Sequence, residues 1–180
     1  MTEFNEMQRL KRRFFAMRNG IVADTLRRSG LGYRMIFGLN LPQIADIARE
    51  IGPSAELARE LWADTRTRES LLLAPMIMPR EVLTEAEARE WFEAASTPEV
   101  ADVLCHRLLR HLPWACGLAM EHVGSGVDME RYTAFRLLFN LLPAGAEEIM
   151  PLAKAEYEAA CPLTRGLTHA LIEEIEFLTE

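Results

Sequence analysis

The side chains with the most chemical potential in this 180-residue chain are four histidines, three cysteines and a basic run near the N-terminus. His106, His111, His122 and His169 are scattered, and none shows the His-Glu-x-x-His spacing that places two imidazoles on one helix face for zinc. His106 and His111 lie five positions apart, a poor separation for one face. Cys105, Cys116 and Cys161 are odd in number and irregular in spacing, which suggests neither a disulfide framework nor a metal site. They read as free thiols of a helical core in a reducing compartment. A glycine-rich phosphate loop and a nucleophile elbow are both missing, so the sequence implies no metal and no cofactor.

Charge is more informative. Residues 1–34 hold eight basic side chains (Arg9, Lys11, Arg12, Arg13, Arg18, Arg27, Arg28 and Arg34) against three acidic ones. The remainder holds twelve basic and twenty-four acidic residues, so the two segments carry +5 and −12. Clustered Lys and Arg are what a phosphate backbone requires, because binding there releases condensed counterions. The formal net charge of −7 argues the other way. Such asymmetry fits a DNA-facing end on which Arg9, Lys11, Arg12 and Arg13 follow phosphates. It fits equally well acid–base pairing inside the fold, or a dimer contact.

The elements that must position these groups are helices. Apolar residues recur at helical spacing along nearly the whole chain, while strand-like alternation is almost absent. A first helix is expected over Phe4–Arg18 and stopped by Gly20, with a second over Ile21–Arg28 and a loop over residues 31–41. Pro42 suits the first turn of a helix carrying Ile44, Ile47, Ala48 and Ile51, and Ser54 suits the N-cap of the next. Thr67–Met78 is apolar enough to lie buried between neighbours, with a kink expected at Pro75. Thr84 and Glu87 form a capping box ahead of Ala88, Trp91, Phe92 and Ala95. Ser96-Thr97-Pro98 opens another helix, and Pro113 separates it from one over Trp114–Val123. After the Gly124-Ser125-Gly126 turn, Asp128 is expected to cap a helix through Leu142. Two more follow, over residues 146–160 and 163–178.

About eleven short helices with short connections imply an all-α chain of consecutive antiparallel pairs, read as an α-solenoid, with an irregular helical bundle as the alternative. The organisation expected is one helical-repeat domain over 1–180, with residues 1–34 as a basic N-terminal helical segment. At 49% hydrophobic and 26% charged the chain is too apolar to stay disordered. No run approaches the ~20 apolar residues of a membrane span. The opening Met-Thr-Glu-Phe lacks the apolar core of a secretory signal, so a cytoplasmic protein without membrane contact is expected.

One stretch is similar to a known family. Leu57-Ala58-Arg59-Glu60-Leu61-Trp62, followed by Arg68-Glu69 and Leu71-Leu72-Leu73-Ala74, resembles a segment of the bacterial DNA alkylation repair family, which consists of alkylpurine DNA glycosylases built from HEAT-like repeats. Gly38-Leu39-Asn40-Leu41-Pro42 ahead of Ile44 resembles the start of one of its repeats. Ser96-Thr97-Pro98-Glu99-Val100-Ala101-Asp102 falls where that family has Ser-Trp-Trp-Asp-x-x-Asp. The resemblance implies a HEAT-like fold and double-stranded DNA as partner. It implies that Asp102 is the catalytic residue, stabilising an oxocarbenium-like sugar as the N-glycosidic bond of an alkylated purine breaks. It also implies that Arg131, or Arg136 in a shifted register, faces the DNA backbone.

Two departures bear on activity. The family's aromatic four positions before the catalytic Asp is Pro98 here, with Thr97 beside it, and a second aromatic falls near His169. Such rings attract a cationic sugar by roughly 0.5–2 kcal/mol, and losing them weakens catalysis. Three functions therefore stand open: a DNA glycosylase acting through Asp102, a DNA-binding relative without turnover, and a non-catalytic helical-repeat scaffold for protein partners.

Overall fold

A computed structural model of the chain describes residues 5–179, so Phe4, expected within the first helix, lies outside the described residues. The helices group into two compact units, Met1–Val82 and Leu83–Glu180. The first unit contains α1 (Glu6–Ala16), α2 (Gly20–Arg28), α3 (Leu41–Ile51), α4 (Ala55–Ala63) and α5 (Arg68–Ile77). The second contains α6 (Glu85–Ala94), α7 (Pro98–Arg107), α8 (Ala115–His122), α9 (Asp128–Leu141), α10 (Ala146–Glu158) and α11 (Arg165–Thr179). No strand forms among the described residues; one isolated bridge joins Met35 to Thr67.

Polar side chains that bond the free N–H groups of the first turn set most helix starts. Ser54 caps α4, Thr84 caps α6 and Thr97 caps α7, as the sequence leads one to expect. Asn5 and Asn19 cap α1 and α2, so α1 ends at Ala16 and Gly20 begins α2 instead of stopping its predecessor. Asn40, read as loop, makes a capping box with Gln43 at the start of α3. Asp128 is the first residue of α9, not its cap. Ser125 Oγ accepts the Val127 N–H just before it, at 3.1 Å.

In the first unit α5 packs against both α3 and α4. Its Leu72, Leu73 and Ala74 are fully buried, and each buried Leu contributes roughly 1.5–3 kcal/mol. Pro75 is accommodated inside the helix near its end. Trp62 is a core residue. In the second unit α9 is the hub, in contact with α6, α7, α8 and α11, while α10 pairs with α11. Phe92, Leu104, Leu108, Phe135 and Leu138 fill the space between these helices.

One buried polar cluster organises the first unit. Glu69 is fully buried, and its carboxylate accepts the backbone N–H groups of Phe37, Gly38 and Leu39 at 3.1, 2.9 and 3.4 Å. Arg68 Nη1 donates to the same carboxylate and to Leu39 O, each at 3.0 Å. Removing one member of such a pair strands a buried charge, at a cost of about 3–5 kcal/mol. Two separate pieces of the sequence resemblance, the Gly38–Pro42 stretch and Arg68-Glu69, thus prove to be the two halves of one contact.

Candidate nucleic-acid interface

Asp102 sits in the second turn of α7, whose first turn Thr97 and Pro98 build as N-cap and first residue. Both positions are committed to starting the helix. The Asp102 side chain is 42% exposed and is engaged from α9. Tyr132 Oη donates to Asp102 Oδ1 at 2.9 Å, and Arg136 Nε stands 2.6 Å from the same oxygen. That second contact is an ion pair without hydrogen-bond alignment. Arg136 also donates from Nη2 to Tyr132 Oη at 3.3 Å, and its guanidinium lies 5.7 Å from the Phe139 ring.

The electrostatics follow from this triangle. Burial pushes the Tyr132 phenol up, with the Asp102 charge adding to it and Arg136 partly opposing, so the hydroxyl remains a donor. Burial works against the Arg136 charge, but the Tyr132 hydroxyl and the Asp102 carboxylate more than offset it, and the guanidinium is held above its ordinary range. Burial also drives the nearby Cys105 thiol upward, so it remains protonated and is no nucleophile at neutral pH.

The triangle continues along α9 and past the end of α7, where Arg110 lies in the 3-10 turn Leu109–His111. Arg110 Nη1 lies 3.2 Å from His106 Nδ1, which is 3.4 Å from Asn140 Oδ1, and Asn140 Nδ2 donates to Arg136 O at 2.9 Å. Asp102, His106 and Arg110 succeed one another at intervals of four, as do Tyr132, Arg136 and Asn140. This spacing stacks Asp102 and His106 on one face of α7 and Tyr132, Arg136 and Asn140 on one face of α9, while Arg110 follows after α7 has ended. The four-residue interval was a signal available in the sequence. Sorting the histidines only for metal spacing left His106 unread, and Arg110 and Asn140 with it.

Arg131 occupies a different environment. It donates to Asp128 Oδ1 at 2.8 Å, to Ser125 O at 2.8 Å and to Glu156 Oε1 at 3.0 Å, and only 16% of its side chain is exposed. The Glu156 carboxylate, ahead of burial and of Asp128, sets the upward shift of its guanidinium. Glu156 also accepts the Thr164 hydroxyl at 2.6 Å, so Arg131 ties α9 to α10 and to the turn before α11. Of the two arginines considered from the sequence, Arg136 is the one beside Asp102. His169, where a second aromatic was expected, is exposed; its ring lies 5.6 Å from that of Tyr157 and its Nδ1 3.4 Å from Glu173.

In the first unit Lys11 pairs with Asp64 at 3.0 Å and Arg13 with Glu50 at 2.8 Å, while Arg9 and Arg12 are exposed. Part of the basic N-terminal character is therefore neutralised within the fold.

Two units of packed helices joined by short turns, with a carboxylate–tyrosine–arginine cluster on adjacent helices, define an all-α protein of antiparallel HEAT-like helix pairs. Its backbone is similar to that of a solved structure described as a new family of proteins related to the HEAT-like repeat DNA glycosylases with affinity for branched DNA structures. The TM-score is 0.79 at 17% identity, covering 90% of this chain and 72% of the other. The sequence model of the DNA alkylation repair enzyme family matches residues 10–154, and the chain belongs to that family. No curated protein matches the sequence. No helix among the described residues is long and apolar enough to cross a membrane.

Proposed function

We propose that this protein binds double-stranded DNA through the polar ladder of α7 and α9 and does not excise bases. The observation that carries this reading is the pairing of Asp102 with Arg136 at 2.6 Å. Glycosidic cleavage of a cationic purine leaves positive charge on the sugar, and a carboxylate helps only if its own charge is free to face it. Here an arginine already offsets that charge, and neither Thr97 nor Pro98 supplies a ring beside the sugar. The same arrangement suits backbone binding: Asp102 and Tyr132 orient Arg136, whose side chain is 27% exposed, for a phosphate, with Arg110 four and eight positions beyond His106 and Asp102. Membership of a DNA alkylation repair family and the branched-DNA affinity of a structural neighbour support DNA as the partner.

The glycosylase reading retains one favourable observation, the 42% exposure of the Asp102 side chain. The two separate in one experiment on the full chain with methylated and unmethylated duplexes, reading base release by chromatography and binding by fluorescence anisotropy. Salt-sensitive binding without release of alkylated purine is expected. Release that disappears in Asp102→Asn would establish the enzyme instead. Failure to bind either duplex at low salt would leave a scaffold for protein partners.

A further inference from the structure

Phe15 is an oddity in α1: a large aromatic ring 57% exposed, on a helix whose neighbouring Leu10 and Phe14 are buried. Arg18 lies over it, with its guanidinium carbon 3.9 Å from the ring centroid and Nη1 donating to Phe15 O at 2.9 Å. The ring forms one wall of an open pocket of about 310 Å³, lined otherwise by Lys11 and Arg12 of α1 and by Met35 and Phe37. Apolar groups therefore make its interior and cations its rim, and exposed Arg9 lies one turn before Arg12.

The floor of this pocket is fixed before any ligand arrives. Met35 is bonded on both sides, its N–H to Arg66 O at 2.9 Å and its carbonyl to the Arg68 N–H at 3.1 Å. Phe37 accepts the Asn19 N–H at 2.8 Å and donates to the buried Glu69 at 3.1 Å. Its ring packs 5.8 Å from that of Phe14. A rigid apolar slot loses little entropy when it is filled.

We infer that this pocket takes an unpaired DNA base, stacked on Phe15 with its flanking phosphates on Arg12 and Arg9. The inference rests on the proposed DNA-binding function and names the feature of DNA that the N-terminal unit reads. Charge selects the occupant, since an apolar slot with Arg12 on its rim and exposed Arg9 one turn before it matches a flat ring carried on an anionic backbone. A paired base presents no free face, so the slot favours unstacked positions such as flaps and single-stranded ends. Every base has such a face, so the preference is for strand state and not for sequence.

The test compares binding of the full chain to a duplex and to the same duplex with a short oligothymidine flap, with 2-aminopurine at the first unpaired position. The wild type is expected to prefer the flap and to quench the 2-aminopurine. Phe15→Ala, on an exposed side chain, is expected to lose on the order of ten-fold in flap affinity and the quenching, with duplex affinity unchanged. Phe15→Trp should retain both. Duplex binding with no flap preference, or a preference indifferent to Phe15→Ala, overturns this inference and leaves the DNA-binding function standing. Binding to neither DNA overturns both. A concentration-dependent dimer in sedimentation that Phe15→Ala dissolves would identify a second copy of the chain as the occupant and overturn the base site.

Discussion

Gly38 shows how a single residue can be read in sequence without its reason. It belongs to the stretch that resembles the family, and the structure explains why glycine stands there. Its φ is +81°, and a Cβ would fall 2.3 Å from Asn19 O and 2.8 Å from Ala23 N, both backbone atoms at the start of α2. Backbone cannot yield as a flexible side chain can, so alanine here meets strain and overlap together. Gly38→Ala is expected to cost on the order of 3 kcal/mol, lowering the midpoint of thermal unfolding by roughly 10 °C. Gly30→Ala is the control: its φ is +95°, but the space around it is open, so only the strain component is lost. Equal losses in the two variants would show that the close approach to α2 contributes nothing. The Asp102–Arg136 contact was less legible than Gly38, for a physical reason. Local pattern assigns each residue to a face of its own helix, while the register of α7 against α9 depends on packing across the α8 segment between them.

Helices were legible where their apolar stripes were strong, and their ends where Ser or Thr capped them. The asparagine caps at Asn5, Asn19 and Asn40 were missed because asparagine serves loops and caps equally well, and only the orphaned N–H groups beyond it decide. Between elements, the tie most open to measurement joins α1 to the end of α4. Lys11 Nζ lies 3.0 Å from Asp64 Oδ2, and Ser70 Oγ donates to the same oxygen at 2.9 Å. Burial raises the Asp64 carboxyl, but bonds from Lys11, Thr67 and Ser70 outweigh it and hold the group below its ordinary value of 3.8. A carboxylate depressed on folding adds stability above its unfolded pKa and loses it as pH falls through the folded value. Asp64→Asn is therefore expected to lower the unfolding midpoint at pH 7. The gap to the wild type should narrow only as pH falls below about 4. A gap that stays constant down to pH 2 would mean that the carboxylate charge contributes nothing to this tie.

For the molecule as a whole, a net charge of −7 leaves room for a DNA partner only if the cations that meet phosphate are few and well placed. Several of the arginines and lysines visible in the sequence already face carboxylates within the fold. Lys11 and Arg13 serve Asp64 and Glu50, and Arg131 serves Asp128 and Glu156. The proposed DNA cations are Arg136 of α9, which Asp102 orients, and Arg110, exposed in the turn after α7. A footprint of two to four phosphates gives a slope of log K against log salt between about −2 and −4, well short of that of a strongly basic binder. Arg136→Ala and Arg110→Ala are each expected to flatten the slope by about one, leaving thermal stability nearly unchanged for Arg110. Arg131→Ala is expected to do the opposite. The slope stays as it was, while stability falls by roughly 1.5–3 kcal/mol as Glu156 loses its partner between α9 and α10. Titrations of the three variants against one duplex over a salt series, with unfolding curves for each, separate a cation that meets DNA from one that holds the fold. If Arg131→Ala flattened the slope as much as Arg136→Ala, the ion pairs of α9 would open on binding, and the division of labour between its two arginines would fail.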